Sequence, residues 1–190
     1  IFNSMDTEKI KELMHDFIVA CGENPLRDGL KNTPTRVSKS YSELLSGYNV
    51  DLDKLVNGAL FDVSYDEMVV VKDINFYSLC EHHLLPFYGR ASVGYVPDKK
   101  IIGLSKIPRI VDTFSKRLQI QERLTKEIAD AFQNIVNPRG LGVVIDAVHM
   151  CSVMRGVKKN NAKMITNVML GNFREDVATR SEFMNNLSRS

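Results

Sequence analysis

Residues 140–156 read GLGVVIDAVHMCSVMRG. The turn signal Asn137-Pro138-Arg139-Gly140 opens this stretch, and the β-branched run behind it predicts a long strand over Leu141–Met154. Side chains alternate along a strand, so His149, Cys151 and Val153 are expected on one face, joined by Arg155 where the strand continues that far. A histidine and a cysteine then project together. A further strand is expected over Met164–Leu170, followed by a weakly helical tail from Arg174.

Upstream the period changes. Leu124, Ile128, Phe132 and Ile135 recur at helical spacing. So do Ile107, Ile110, Val111, Phe114 and Leu118, in a helix opening at Ser105 with Pro108 tolerated in its first turn. Met68–Val71 and Arg90–Val96 read as strands, the second bounded by Gly89 and Pro97. Near the start, Ile10, Leu13, Met14, Phe17, Ile18 and Cys21 form one helical face, stopped by Gly22. Thr33-Pro34 reads as cap and first helical position of another helix, whose buried stripe is Val37, Tyr41, Leu44 and Leu45 and whose stop is Gly47. No repeat, low-complexity segment or linker interrupts the chain. Helices, strands, helices, strands in that order predict one α+β unit with an antiparallel sheet. Within it, residues 1–50 form an N-terminal helical region and residues 51–190 the main domain.

The 190 residues are 44% hydrophobic and 25% charged, an ordinary globular composition. A chain of this length can bury roughly 70% of its unfolded surface. Net charge is +2, from 25 basic and 23 acidic residues, so a nucleic-acid partner is not indicated and any basic site must come from local clustering. No apolar run is long enough for a membrane span. The start, IFNSMDTEKIKELM, lacks an apolar signal core; its first four residues read either as an expression remnant or as the tail of a longer precursor. Three cysteines make a poor disulfide framework. They fit a reducing cytoplasm and leave metal binding open.

Cys80-Glu81-His82-His83 is the densest local chemistry, with His149-Met150-Cys151 its counterpart. Cys80 and His83, three apart, can chelate one ion from a turn. Cys80, His83 and Cys151 together make a zinc-type ligand set that leaves a fourth tetrahedral position to water, the arrangement of catalytic and not structural sites. Zinc lowers the pKa of a bound water to about 7. Against this, a lone Cys-x-x-His arises by chance, and cysteine is commonly a small buried hydrophobe. Three of the four histidines clustering with two of the three cysteines favours the metal. Cys21 could supply a fourth ligand, but its apolar stripe assigns it to the core.

These residues resemble the GTP cyclohydrolase I family. The likeness also includes Gly103-Leu104-Ser105-Lys106, Gln121-Glu122-Arg123-Leu124-Thr125, the stretch Asp146–Gly156, and an early GEN-P-x-R-x-GL-x-x-TP-x-R. It runs from about Asp6 to the C-terminus, with the blocks in order. The resemblance implies a tunnelling fold, in which antiparallel sheets of several subunits join into a barrel. It implies a homodecamer of two pentamers with sites between subunits. It implies a Zn2+-dependent hydrolase that converts GTP and water to formate and 7,8-dihydroneopterin triphosphate, at the entry to folate or tetrahydrobiopterin synthesis. On it, Cys80, His83 and Cys151 fall on zinc ligands and His82 and His149 on catalytic histidines. Ser105 and Gln121 fall on ribose and base contacts, Glu122 on the guanine anchor, and Lys106, Arg109, Arg155 and Arg36 on triphosphate contacts. A regulatory protein partner is not indicated, and the sequence leaves feedback control, cooperativity and allostery open.

Chemistry supplies a second reading of several of these residues. Imidazole titrates near neutrality, so His149 suits protonation of the departing ring nitrogen; His82 suits the later ribose steps or a supporting hydrogen bond. Lys106 and Arg109 share a helix face in a first turn that favours anions; they are expected to converge with Arg155 near the zinc strand, or else form a solvated basic face. Arg36, remote in sequence, is expected either to reach a neighbouring subunit's triphosphate or to be an exposed first-turn residue. Glu122 reads either as a helix-start carboxylate or as acceptor of two guanine N–H groups. No phosphoryl-transfer loop is present, so the triphosphate is a handle. The rival functions are a non-catalytic zinc-binding relative, a relative with another purine or pterin substrate, and a structural zinc module.

Overall fold

The computed structural model describes residues 5–189; residues 1–4, read above as remnant or precursor tail, lie outside the described residues. In chain order the elements are α1 (Thr7–Ala20), α2 (Thr33–Leu44), a 3₁₀ turn (Ser46–Asn49), α3 (Leu52–Val56), β1 (Leu60–Asp62), β2 (Val69–Cys80), β3 (Pro86–Val96) and β4 (Lys100–Ile102). There follow α4 (Lys106–Ser115), β5 (Leu118–Gln119), α5 (Gln121–Val136), β6 (Gly140–His149), α6 (Met150–Val153), β7 (Met164–Gly171), α7 (Asn172–Glu175) and α8 (Val177–Ser188).

Five strands form the main sheet in the order β5-β2-β3-β6-β7. All its neighbours are antiparallel except the short parallel pair β5–β2. The apolar stripes of α4 and α5 cover one face. Ile107, Ile110, Val111, Leu124, Ile128 and Phe132 are buried there among Phe76, Phe87, Val93, Tyr95, Val143 and Ile145 of the sheet. Each helix is held by burial of the spacing read from its sequence, worth about 1.5–3 kcal/mol per large apolar side chain. On the opposite face, Phe173 and Phe183 pack over Gly94 and Gly142. A Cβ at Gly94 would stand 2.5 Å from the Phe183 ring, so the seat of α8 requires glycine there.

Several expectations change. β2 runs to Cys80 and not just over the apolar Met68–Val71. Ile74, Phe76 and Ser78 face the core while Asp73, Asn75 and Tyr77 face out, and the register slips between Val71 and Ile74. That slip and the polar outer residues hide the strand from a search for apolar runs. Leu118 leaves the helix and pairs with Leu79 in β5. In α1 only Ile18 is buried; Leu13 is 52% and Phe17 60% exposed. Cys21 caps that helix and is exposed, so the core place assigned to it is not found. In α2 the buried residues are Pro34 and Ser38, while Leu44 is exposed. Ser38 Oγ donates to Thr7 O at 2.6 Å, a small-residue contact that lets α1 and α2 approach closely. Among the described residues no helix is long and apolar enough to cross a membrane.

Candidate active site

β2 ends at Cys80, and the chain folds straight back. The N–H groups of His83 and Leu84 donate to Cys80 O at 3.3 and 2.8 Å, and Cys80 N–H donates to Leu85 O at 2.8 Å. Leu84 takes a left-handed φ of 54° to close this turn. His83 thereby returns over Cys80, with Nδ1 4.0 Å from Sγ. The turn is tied to α5 from below. Arg123 donates to the Glu81 carboxylate, to Leu118 O at 3.1 Å and to Gln119 Oε1 at 2.9 Å. The hydrogen bond from Arg123 holds the Glu81 carboxyl below the usual carboxylate range.

The second half of the site comes from β6, which stops at His149 and not at Met154. Its last pair with β3 is Phe87–His149, and its last pair with β7 is Ala147–Met164. Beyond these rows β7 has ended and β3 offers only Pro86, which has no N–H, so the backbone closes on itself as α6, with Met154 N–H donating to Met150 O at 3.1 Å. Cys151 therefore reaches the site from a helical turn and not by strand alternation. Ligand atoms of Cys80, His83 and Cys151 lie within 4.8 Å of one another, and no fourth His, Cys, Asp or Glu joins them among the described residues. Zinc bonds of about 2.0–2.3 Å in a tetrahedron place ligands roughly 3.5–3.8 Å apart, so small side-chain adjustments fit the ion. Burial, and then the neighbouring Cys80 sulfur, push the Cys151 thiol up; two adjacent thiols resist ionising together, and a divalent cation removes that conflict.

His149 stands beside this cluster. Its ring is stacked on Phe87, with centroids 4.7 Å apart and planes within 4°. Its Nε2 lies 2.7 Å from Gln121 Oε1. Burial pulls its pKa below the ordinary imidazole value, opposed by the negative charge of Glu122, and so favours the neutral ring. His82 is largely exposed, with Nε2 3.8 Å from Glu81 Oε1. Arg155 Nη1 is 3.1 Å from His83 Nε2. One end of the sheet thus gathers a three-ligand set, a stacked histidine, an exposed histidine, an acid and a guanidinium. The family model described as GTP cyclohydrolase I matches residues 10–188.

The chain belongs to the GTP cyclohydrolase I family.

Its relatives agree along nearly the whole length. The chain is 56% identical to "GTP cyclohydrolase 1" of Leptospira biflexa over 175 residues, which is 92% of this chain and 96% of that one. It is 52% identical to "GTP cyclohydrolase 1 2" of Pseudomonas putida over 183 residues, 96% of this chain and 98% of that one. With "GTP cyclohydrolase 1" of Drosophila melanogaster it shares 57% identity over 164 residues, 86% of this chain and 51% of that longer one.

In this GTP cyclohydrolase I family member the other sequence candidates lie elsewhere. Ile102 N–H donates to Tyr95 OH at 3.5 Å, which puts the start of α4 toward the Tyr95–Leu141 row. That row is eight residues along β3 from the Phe87–His149 row, roughly 26 Å at about 3.3 Å per residue. Ser105 is exposed there, and Lys106 Nζ donates to Leu55 O at 2.7 Å. Arg109 is exposed one turn further on, and Arg36 is exposed on α2. Lys106 and Arg155 make separate contacts in this chain, Lys106 with Leu55 O and Arg155 with His83. Sequence reading assigned no role to Phe87, or to Arg123 and Glu81 as a clamp. The clamp pair lies inside the two quoted motif blocks, which is the signal that could have found it; Phe87 carried none.

Proposed function

We propose that this chain is a zinc-dependent GTP cyclohydrolase I, which converts GTP and water to 7,8-dihydroneopterin triphosphate and formate. The observation that carries this reading is the set of Cys80, His83 and Cys151, whose ligand atoms lie within 4.8 Å of one another with no fourth protein ligand among the described residues. A structural zinc module needs that fourth ligand. Zinc bound there supplies a hydroxide nucleophile at neutral pH. His149, stacked on Phe87, serves as the acid–base group: it accepts a proton from the water that adds to carbon 8 and returns it to the ring nitrogen released there. His82, exposed and beside Glu81, serves the ribose steps. Glu122 in the first turn of α5 accepts the guanine N–H groups, and adenine is rejected because the carboxylate would lose its donors.

The remaining roles fit a second copy. Ser105 for the ribose, and Lys106 and Arg109 for the triphosphate, lie where α4 opens, and Lys106 Nζ there binds Leu55 O and not a group of the Cys80 turn. Together with Arg36 they act on the GTP of a neighbouring subunit, whose Arg155 stands at the zinc. This favours a homo-oligomer with sites between subunits, and we propose the decamer of two pentamers, with the sheets joined into a barrel. We propose the division at residue 50: before it α1 and α2 pack chiefly on each other as a helical region, and after it lies the catalytic domain. Free Cys80 and Cys151 must stay reduced to bind metal, which favours a cytoplasmic location. The deciding assay incubates the protein with GTP and measures formate release and, after oxidation, pterin fluorescence. Absence of both from zinc-loaded protein overturns the reading.

A further inference from the structure

Gln121 is 0% exposed, and its side-chain amide is fully engaged. Nε2 lies 3.1 Å from Ile145 O, 2.9 Å from Met164 O and 3.1 Å from Thr166 Oγ1. Oε1 lies 2.7 Å from His149 Nε2. Two of the groups facing Nε2 are carbonyls, which cannot donate. A flipped amide would therefore bury its oxygen against two other oxygens, so the flip is excluded. Oε1 faces His149 and has only lone pairs to offer, and His149 Nε2 must carry the hydrogen between them. A neutral imidazole holds one such hydrogen, which leaves Nδ1 bare.

The threonines behind Gln121 complete the set. Thr125 Oγ1 is 2.7 Å from Gln121 O and 2.6 Å from Thr166 Oγ1. The Thr125 hydrogen goes to the carbonyl, which cannot donate in return. Thr166 therefore donates to Thr125 and keeps lone pairs to accept from Gln121 Nε2. The two Nε2 hydrogens are shared among three acceptors, so one of these contacts is bifurcated; the direction of donation along Thr166–Thr125 and Gln121–His149 is fixed all the same. Phe87, stacked on the ring, fixes its plane independently.

We infer that Gln121 is a positioning residue which acts through His149, and not a contact to ribose or base: its amide, ordered by Thr166 and two strand carbonyls, holds His149 as the Nε2–H tautomer and makes Nδ1 its working atom. This rests on the proposed role of His149 in GTP hydrolysis. A wild-type protein that forms no formate would sink that role, whereas the tautomer is measured without any turnover.

The experiment is solid-state ¹⁵N NMR of sedimented, histidine-labelled, zinc-loaded protein near pH 8, where imidazoles are neutral. The His149 signals are assigned by difference from His149→Ala. The expected result is a protonated Nε2 and a bare Nδ1; a hydrogen on Nδ1 would overturn the inference. Gln121→Met should show both tautomers, with kcat lowered about tenfold or more, KM for GTP within about twofold, and zinc content unchanged. Thr166→Val, which touches neither His149 nor any proposed ligand, should shift the tautomers and kcat less but in the same direction. A raised KM with kcat kept in either variant would make Gln121 a direct substrate contact and sink the positioning role.

Discussion

The Phe87 and His149 rings lie 4.7 Å apart with their planes within 4° of parallel. They are direct partners across β3 and β6, so the last row of the sheet sets the plane of the histidine beside the metal ligands. His149→Ala should keep zinc and GTP binding and lose turnover about a hundredfold or more, the scale of a removed acid–base group. Phe87→Leu keeps the core apolar but removes the stack; it should lower kcat about tenfold and cost about 1–2 kcal/mol in denaturant unfolding. Elemental analysis of His149→Ala is the check on its role, because zinc loss there would make it a ligand.

The metal set and its clamp separate three cysteine and arginine variants. About one zinc per chain is expected, with Cys151→Ser binding poorly and Cys21→Ser, on the exposed end of α1, binding normally. Arg123→Ala releases Glu81 and with it the turn that carries His83. Its zinc affinity should fall about tenfold or more, as for other residues that orient a ligand from behind. Competition against a chelator reads this out, and unchanged affinity in Arg123→Ala would show that the turn holds without its clamp.

Glu122 is exposed at the start of α5, so its substitution should barely move stability. Glu122→Gln replaces a carboxylate that accepts two N–H groups by an amide with a donor of its own. GTP affinity by calorimetry should fall about tenfold or more. Equal affinity would return Glu122 to a helix-dipole role.

Assembly is tested by mixing inactive variants. Lys106→Ala, Arg36→Ala and His149→Ala should each assemble into homo-oligomers of low activity. Co-assembly of His149→Ala with either of the others pairs an intact Lys106 or Arg36 with an intact His149 at some interfaces. Activity should rise above both parents. Mixing verified by mass measurement without any recovery would place that residue outside the neighbour's site.

Local patterning alone determined a large part of this protein. Leu124, Ile128 and Phe132 define α5 by period, and Val143 and Ile145 define β6, because these faces must be buried wherever the chain goes. The pairing of Cys80 with His83 was also legible, since a three-residue separation in a turn is itself a chelate. The tertiary structure decided what depends on partners distant in sequence. β6 ends at His149 because past that row β7 has ended and β3 offers only Pro86, and Cys151 is delivered by a helical turn as a result. Cys21, Leu13 and Phe17 carry the spacing of a buried stripe, yet they are exposed and none of the described residues buries them. Lys106 and Arg109 share a helix face as their spacing requires, but the fold gives Lys106 to Leu55 O and Arg155 to His83. Gln121 meets His149 only because α5 packs against β6 and β7. Periodicity records which side of an element is buried; it holds no record of which other element does the burying.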